Sequence, residues 1–396
     1  MNTMRRASAA AAVLMLAIGV GAAPAAFAAQ TQTRAFRQSF PTGGTVRLAN
    51  LAGRVDLVRG QGKEVVVEAT VHADAGGETQ KLLQGMKWVK SRDREGHEEW
   101  ALSYPVEKHR SFVYPRKGTE DSAPAFLSFL DMSQTVTTYR GEKVKVYARP
   151  HGSAPTLYTD LRISLPVGSD VVFRNAIGVV RGGDLEGSLS VKTGSGDVQI
   201  ASYAGRLTVD TGSGDVIVGA ARGETSIDTG SGDVVVKRLI GNGSMDTGSG
   251  DVIVENVSAG KLAVDTGSGD VTVREGTAAH VLAETGSGSV RVIRVELEEL
   301  DADTGSGDVV LQASLAKAKR VSAETGSGDV EIKGGPDASF DISSSHGSGE
   351  LQVGYADAAI RKSGKKVVGA KRGNGQTVIR VATGSGDCVI SPRERS

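Results

Sequence analysis

Two rows of acidic residues recur along the second half of the chain at nearly constant spacing, and such carboxylates could do chemistry. Clustered carboxylates are the ligands that Ca²⁺ prefers, and paired carboxylates cleave glycosidic bonds. The rows flank a repeated motif, Thr-Gly-Ser-Gly-Asp-Val. Its full copies begin at Thr193, Thr211, Thr229, Thr247, Thr266, Thr304 and Thr325, and looser copies begin at Thr285, His346 and Thr383.

The two rows lie on opposite sides of this glycine corner. The row after it is Asp197, Asp215, Asp233, Asp251, Asp270, Asp308 and Asp329; the row before it is Asp210, Asp228, Asp246, Asp265, Glu284, Asp303 and Glu324. Like charges about 5 Å apart repel by about 1 kcal/mol per pair in water, so something must offset the repulsion.

Two explanations of the rows stay open. The Ser and Asp side chains can bond backbone groups of their own turn in solvent. Alternatively, calcium binds, with Asp215, Asp233, Asp251 and Asp270 as candidate ligands, although the spacing differs from the Gly-Gly-x-Gly-x-Asp calcium repeat. An active site is singular, whereas these acids recur in every unit, so we predict no catalytic residues and a protein that is not an enzyme.

The spacing of the motif predicts a stacked repeat. From Thr193 the copies follow at steps of 18, 18, 18, 19, 19, 19, 21 and 21 residues, then 37. Apolar residues alternate on both sides of each corner, as in Leu207–Val209 and Val216–Val218, and a period of two is typical of strands. A weaker apolar position ten residues after the threonine favours a short third side. Glycine on both sides of the serine is expected to allow positive φ.

No unit has room for a helical crossover, so successive strands are predicted to lie parallel, about 4.8 Å apart. We therefore predict an all-β fold, a parallel β-solenoid (β-helix) of about 18–21-residue coils. The position six residues after the threonine should face outward. Its aliphatic members, Ile217, Val235, Ile253 and Val310, are either ordinary strand residues or a stripe that a partner covers.

The remaining chain is predicted to comprise further segments. Met1–Ala28 is predicted to be a secretory signal peptide, because Arg5 and Arg6 precede an apolar run that ends in Ala26-Phe27-Ala28. Residues 29–75 are predicted to be opening strands, 76–166 an aromatic-rich inserted or capping region, 167–390 the solenoid and 391–396 a polar tail.

Within these segments three local predictions can be checked. Thr79 to Lys90 should form one short helix, because Leu82, Leu83, Met86 and Val89 recur at helical spacing. Residues 355–366 are expected to be a loop with a helical turn. Residues 376–390 are expected to close the far end of the coil.

Composition and charge narrow the function classes. The formal net charge is +0, which argues against nucleic-acid binding. The mature chain is predicted to have no transmembrane segment. The six histidines lack paired metal spacing, and the one cysteine, Cys388, holds a position that valine fills in other copies, which predicts a small buried apolar residue.

The repeated Asp-Thr-Gly-Ser-Gly-Asp-Val with its two flanking strands resembles the DUF4097 family of secreted bacterial proteins labelled "putative adhesin". The resemblance covers residues 43–70 weakly and 167–390 strongly. It implies a β-solenoid, placement in the cell envelope and adhesion, and it brings no catalytic residues.

The predicted function is a non-enzymatic, exported cell-envelope scaffold or binding protein, located in the periplasm, at the cell surface or outside the cell. It would present its repetitive face to an envelope protein or a glycan. A calcium-stabilised surface adhesin and a carbohydrate-active β-helix enzyme remain as alternatives, and calcium is the one cofactor considered.

Overall fold

The computed structural model describes residues 31–93, 95–115 and 134–393. Nearly all of the regular structure in these residues is β-strand, with one short α-helix, so the predicted all-β class is confirmed. The chain divides into two compact units, Met1–Gly196 and Asp197–Ser396, here called the N-terminal unit and the repeat unit. The predicted signal peptide at residues 1–28 lies outside the described residues, as do residues 394–396 of the predicted tail.

The N-terminal unit contains the helix and twelve strands in its described residues. They are β1 (Thr31–Pro41), β2 (Val46–Ala52), β3 (Val55–Gly60), β4 (Glu64–Asp74), α1 (Gly77–Gly85), β5 (Trp88–Arg92), β6 (Glu98–Leu102), β7 (Ser111–Val113), β8 (Gln134–Tyr139), β9 (Glu142–Tyr147), β10 (Leu157–Pro166), β11 (Ser169–Ile177) and β12 (Val180–Ser195).

The strands of the N-terminal unit form both parallel and antiparallel pairs. β4 pairs antiparallel with β1 and with β10. β11 pairs parallel with both β2 and β12, and β3 pairs parallel with β10 and β12. The predicted opening strands at 29–75 therefore lie in one unit with the first strands of the predicted solenoid, and the boundary between compact units falls at 196/197.

The predicted helix over 79–90 is too long at its C-terminal end. The helix ends at Gly85, and Met86 already has an extended backbone with φ −66° and ψ 127°. Trp88–Arg92 instead forms a hairpin with β6, in which Val89 lies opposite Ala101. Leu83 and Met86 are buried as their spacing predicted, but tertiary pairing converts the last turn into a strand.

The repeat unit is built from strands alone in its described residues. They are β13 (Val198–Thr211), β14 (Val216–Thr229), β15 (Val234–Val236), β16 (Leu239–Ile240), β17 (Gly243–Thr247), β18 (Val252–Thr266), β19 (Val271–Thr285), β20 (Val290–Thr304), β21 (Val309–Gln312), β22 (Arg320–Thr325), β23 (Val330–Gly334), β24 (Phe340–His346), β25 (Leu351–Val353), β26 (Ala359–Ser363), β27 (Lys366–Arg372), β28 (Thr377–Thr383) and β29 (Cys388–Pro392).

Consecutive repeats pair in parallel and in register. Val216 lies opposite Val198 and Val234, and Thr229 lies opposite Thr211 and Thr247. From Thr211 to Thr325 every step of the pairing equals one sequence repeat, so like residues stack on like residues. The predicted parallel arrangement is confirmed.

One repeat is divided into three short strands, β15, β16 and β17, which pair with successive parts of the longer strands β14 and β18. The apolar positions on all three point inward, and Val234, Leu239 and Met245 are at most 1% exposed. The third apolar position was the weakest sequence signal, yet Tyr203, Ala221 and Val257 there are also buried. Aliphatic side chains therefore fill the narrow interior, and burial of that area is the main force that holds the repeats together.

The corner glycines are required mainly because neighbouring repeats approach closely. A Cβ on Gly232 would lie 2.3 Å from the carbonyl oxygen of Gly214, and its φ is 143°. A Cβ on Gly230 would lie 2.6 Å from the oxygen of Gly212, although Gly230 has no positive φ. The expectation that both glycines use positive φ is thus wrong for the first one, and for the second it holds at Gly196, Gly214, Gly232 and Gly250 but not in the later copies, such as Gly269. The absent side chain of the first glycine makes room for the backbone of the preceding repeat.

The last repeats are stacked out of sequence order. β28, which carries Thr383, pairs parallel with β22 on one side and with β24 on the other. The copy at His346 is therefore outermost, and the final copy is inserted between those at Thr325 and His346. The expectation that residues 376–390 close the far end is wrong. The predicted loop at 355–366 is also wrong in part, because β26 and β27 form an antiparallel hairpin beside β24.

Candidate functional site

The acids after the corner form a continuous hydrogen-bonded row, here called the aspartate ladder (Asp197, Asp215, Asp233, Asp251, Asp270, Asp308 and Asp329). Asp233 Oδ1 accepts a hydrogen bond from the Asp251 amide at 2.9 Å, and Asp251 Oδ1 accepts one from the Asp270 amide at 2.8 Å. The same contact recurs from the Asp215 amide to Asp197 and from the Asp387 amide to Asp329. The expectation that these side chains bond their own turn is wrong, because each one bonds the next repeat in the stack.

The motif threonines make a second row of contacts between repeats. Thr304 Oγ1 donates to the carbonyl oxygen of Gly288 at 2.6 Å and accepts from the Gly307 amide at 3.1 Å. Thr304 is only 1% exposed, so these bonds are made in a dry environment where unpaired polar groups are costly. Threonine and aspartate thus satisfy backbone groups that the glycine corner leaves outside the strand pairing.

The acids before the corner behave differently, and they are here called the acid row (Asp210, Asp228, Asp246, Asp265, Glu284, Asp303 and Glu324). Strand register places each directly opposite the next, and all are exposed. Within the described ranges no salt bridge reaches any of them. The acid row is therefore a line of uncompensated negative charge.

The pKa shifts in the two rows have opposite signs. Desolvation, followed by the carboxylates of Asp265 and Asp228, raises the pKa of Asp246 above its ordinary value. Desolvation and neighbouring acids likewise raise the pKa of Glu284. In the ladder, the hydrogen bond from the Ser289 amide lowers the pKa of Asp270, and the ion pair with Arg291 lowers it further.

The four calcium candidates, Asp215, Asp233, Asp251 and Asp270, all lie in the aspartate ladder. One oxygen of each accepts the amide of the following repeat, so this oxygen already has a partner. The acid row, which the sequence did not single out for calcium, holds the freer carboxylates.

The predicted partner stripe lies on the outer surface of the repeat unit. Ile217, Val235 and Ile253 lie opposite one another on three neighbouring parallel strands, and each is half-buried. Thr272 and Arg291 separate them from Val310, so the stripe is continuous over three repeats. These residues lie beside the aspartate ladder, two positions along the same strands.

An open groove of about 430 Å³ crosses the first repeats of this unit on the side of the acid row. Small hydroxyl residues form its floor, because Thr208, Ser226 and Ser244 stack in register there. Its margin is polar and includes Arg206, Glu224, Asn242 and Lys261. The sequence signal for this groove was the replacement of a large inner aliphatic residue by Thr225 and Gly243.

In the N-terminal unit, asparagine takes the place of the motif threonine, which the sequence reasoning missed. Asn50 lies opposite Asn175, and Asn175 lies opposite Thr193. Asn50 Nδ2 donates to Asn175 Oδ1 at 3.0 Å, and Asn175 Nδ2 donates to the Gly53 carbonyl at 2.9 Å. The signal that could have revealed them is an asparagine three residues before the corner glycine, at Gly53 and Gly178.

One further polar cluster lies in the hairpin between β5 and β6. Ligand atoms of Asp93, Glu95 and His97 lie within 4.8 Å of one another, the single group of this kind among the residues that the structure describes. Asp93 Oδ1 accepts the amides of Glu95 at 2.9 Å and His97 at 2.8 Å. This carboxylate therefore shapes the turn, and two of the three residues are exposed.

Cys388 is buried, as its valine position predicted. Burial raises the pKa of its thiol, which keeps it protonated near neutral pH. The hydroxyl of Ser344 donates to its sulfur at 3.6 Å.

The family model Toastrack DUF4097 matches residues 223–391, which confirms the resemblance stated from the repeats. No curated protein matches the chain. In the part of the chain that the structure describes, no helix is long and apolar enough to cross a membrane.

Two solved structures are similar to the chain. One is named a "putative cell adhesion protein" from Clostridium sporogenes ATCC 15579, with 9% identity, a TM-score of 0.19, and coverage of 91% of this chain and 100% of that chain. The other is named a "Putative lipid binding protein" from Parabacteroides distasonis ATCC 8503, with 11% identity, a TM-score of 0.34, and coverage of 91% and 96%. At these TM-scores neither likeness carries an argument about this chain.

Proposed function

We propose that this protein is a non-enzymatic, exported envelope protein that binds a partner on a regular surface, because residues 223–391 match the Toastrack DUF4097 family model. We propose further that the repeat unit is a parallel β-solenoid serving as a rigid support. Parallel pairing at one-repeat steps and the aliphatic interior support the solenoid.

The observation that carries the binding proposal is the outward stripe of Ile217, Val235 and Ile253. Three β-branched side chains in register give a straight, rigid apolar line about 10 Å long on the surface. Partner surfaces on a repeat array are formed in this way, because neighbouring repeats present the same position at fixed spacing.

The repeated polar groups have a structural role, and this role supports the proposal that the protein is not an enzyme. The ladder aspartates bind backbone amides of the next repeat, and the motif threonines bind backbone carbonyls. These groups are therefore used for stacking, the threonines from Thr229 onward.

The proposal is tested by capture of partners from envelope extract with immobilised purified protein. A triple variant, Ile217→Thr, Val235→Thr and Ile253→Thr, should keep its circular dichroism spectrum and lose a partner that the unsubstituted protein captures. A matched control, Thr208→Ala, Ser226→Ala and Ser244→Ala, alters the neighbouring face and should retain that partner. Equal capture by all three proteins would remove the stripe from the proposal.

We propose calcium stabilisation as a second function, because the acid row collects carboxylates that no salt bridge reaches in the described residues, and clustered carboxylates are ligands that calcium prefers. Addition of calcium should then raise the midpoint of thermal unfolding, and chelator should reverse the shift. Magnesium serves as the control for general screening. An unchanged midpoint with calcium removes this proposal and leaves the first intact.

A further inference from the structure

Negative and positive charges of the repeat unit lie in different parts of one sheet. The acid row supplies seven carboxylates without an ion pair in the described residues. Residues 359–380 contain seven basic residues and no acidic one, and they are here called the basic segment (Arg361, Lys362, Lys365, Lys366, Lys371, Arg372 and Arg380). The chain as a whole has formal net charge +0, a condition that favours association between copies.

Much of the basic charge has no partner within the unit. Arg361 pairs with Asp341 at 2.6 Å, Arg372 pairs with Asp357 at 2.7 Å, and Lys366 donates to a backbone carbonyl. No salt bridge in the described residues reaches the other four basic residues, which are all exposed. These four are Lys362, Lys365, Lys371 and Arg380.

The acid row and the basic segment lie on the same side of the sheet. Glu324 on β22 is followed across the sheet by β28, β24, β27 and β26. Arg380 lies opposite Ser322 and Ser343, and Lys371 lies opposite Asp341. Because alternate residues of a strand share a face, Arg380 and Lys371 face outward with the acid row.

Apart from Arg380, which lies on β28 beside Glu324 of β22, the basic residues lie on β26 and β27 or the turn between them and are too far away to neutralise the acid row of their own chain. Three strand spacings separate β22 from β27, about 14 Å at about 4.8 Å per strand. Asp246 lies four strands farther from β27 than Glu324 does. Both separations exceed the Debye length of about 8 Å at physiological ionic strength, so these charges are screened from each other.

We propose that the basic segment of one copy docks on the acid row of a second copy. Two copies placed face to face and antiparallel satisfy both contacts at once, because each brings its basic end over the acidic repeats of the other. Such an interface is isologous and closes as a two-fold dimer. Each copy supplies the countercharge that neither can supply for itself.

Sedimentation velocity of the purified protein over a series of concentrations tests this dimer. At about 0.1 M NaCl the weight-average sedimentation coefficient should rise with concentration toward that of a dimer. At about 1 M NaCl, where the Debye length is about 3 Å, the protein should sediment as a monomer. A monomer at every concentration at the lower salt overturns the proposal.

Charge reversal identifies the two surfaces. Lys365→Glu, Lys371→Glu and Arg380→Glu form the base-reversed variant, and Asp228→Lys, Asp246→Lys and Asp265→Lys form the acid-reversed variant. Each alone should dimerise about ten-fold more weakly or worse, since three exposed pairs are lost at each of the two symmetric contacts. An equimolar mixture should regain association, because the reversed surfaces complement each other.

A matched control variant carries Lys317→Glu and Lys319→Glu, which reverse basic residues that already have ion-pair partners. This variant should dimerise as the unsubstituted protein does. Circular dichroism checks the fold of every variant. A mixture of the two reversed variants that stays monomeric, with both folded, overturns the pairing. Binding of monomeric protein to phosphatidylglycerol vesicles, lost in the base-reversed variant, would also overturn it, because the basic segment would then serve an anionic membrane surface.

Discussion

The aspartate ladder and the acid row contain the same kind of residue at the same spacing, yet they do opposite things. Asp246 and Asp251 belong to one corner and are five residues apart. Asp251 accepts the backbone amide of Asp270 in the next repeat, whereas no salt bridge in the described residues reaches Asp246. Desolvation, followed by the carboxylates of Asp265 and Asp228, raises the pKa of Asp246. The aspartate ladder stabilises the stacking of the repeats, whereas charge repulsion within the acid row opposes it.

The difference shows that position relative to the glycine corner decides what a carboxylate does. After the corner the backbone leaves the strand pairing, so its amides need acceptors and the aspartate provides one. Before the corner the backbone amides are already paired within the parallel sheet. The side chains there face solvent and their neighbours in the row, and Glu324 also accepts a long hydrogen bond from Ser322 at 3.5 Å.

The largest loss of stability is expected from a substitution at the glycine corner, which both rows flank. Gly232→Ala places a Cβ 2.3 Å from the Gly214 carbonyl oxygen at a φ of 143°, and neither repeat can move without disturbing its neighbours. We expect a loss of at least about 3 kcal/mol in the free energy of unfolding, measured by urea denaturation. Gly335→Ala is the control, since nothing lies within 4 Å of its Cβ. Equal stability of the two variants would contradict close stacking at the corner.

The next effect separates the two rows directly. Asp251→Ala removes the acceptor of the Asp270 amide and should lower the free energy of unfolding by about 1–2 kcal/mol. Asp246→Ala removes a repelled charge and should change stability by less than about 0.5 kcal/mol, or increase it. The account fails here if Asp246→Ala is the more damaging substitution.

The pH dependence of stability should carry the signature of both rows. The lowered pKa of Asp270 means that its contribution is present above the ordinary carboxyl value and is lost as pH falls through the lowered value. The raised pKa of Asp246 and Glu284 means that their ionised forms destabilise the fold at neutral pH.

Stability should therefore rise as pH falls from neutral toward the raised values, and it should decline below about pH 4. Urea unfolding at a series of pH values measures the profile. Asp246→Asn with Glu284→Gln should flatten the rise and leave the acid decline in place. A steady fall in stability from pH 7 downward in the unsubstituted protein would contradict the acid row's part of the profile.

Salt should give the smallest effect. Raising NaCl from about 0.1 M to about 1 M screens exposed charges and should stabilise the protein by a few tenths of a kcal/mol through the acid row. Asp228→Asn, Asp246→Asn and Asp265→Asn together should reduce this gain when both proteins are unfolded at low concentration. An equal gain in both would assign the salt effect to other parts of the surface.

The sequence predicted the periodic part of the fold well. Each repeat there packs against a repeat of nearly the same sequence, so the local pattern of apolar residues determines which residues are in contact. Val216, Leu239 and Thr247 are buried where the pattern placed them or their equivalents. The inserted final copy at Thr383 could not be predicted, since periodicity identifies copies without ordering them in space. The helix ended early at Gly85 for a related reason, namely the long-range pairing of Val89 with Ala101.

The candidate site was predicted in its residues and less well in its chemistry. The acids of both rows and the stripe at Ile217 came from spacing alone. The partner of each ladder carboxylate, an amide one repeat away, depends on register and appeared only with the structure. The asparagine substitution at Asn50 and Asn175 was missed because the surrounding Gly-Ser-Gly is absent there.

The central claim is that the glycine corners lie above one another, one strand spacing apart. Spin labels on Ser231→Cys and Ser327→Cys, in a Cys388→Val background that supplies the valine of other copies, test it by pulsed electron–electron distance measurement. These serines are exposed and five repeats apart, so in-register stacking predicts a distance near 24 Å, at about 4.8 Å per repeat. A much longer distance, or a broad distribution without a maximum in that region, would contradict the stack and, with it, the division between ladder and acid row.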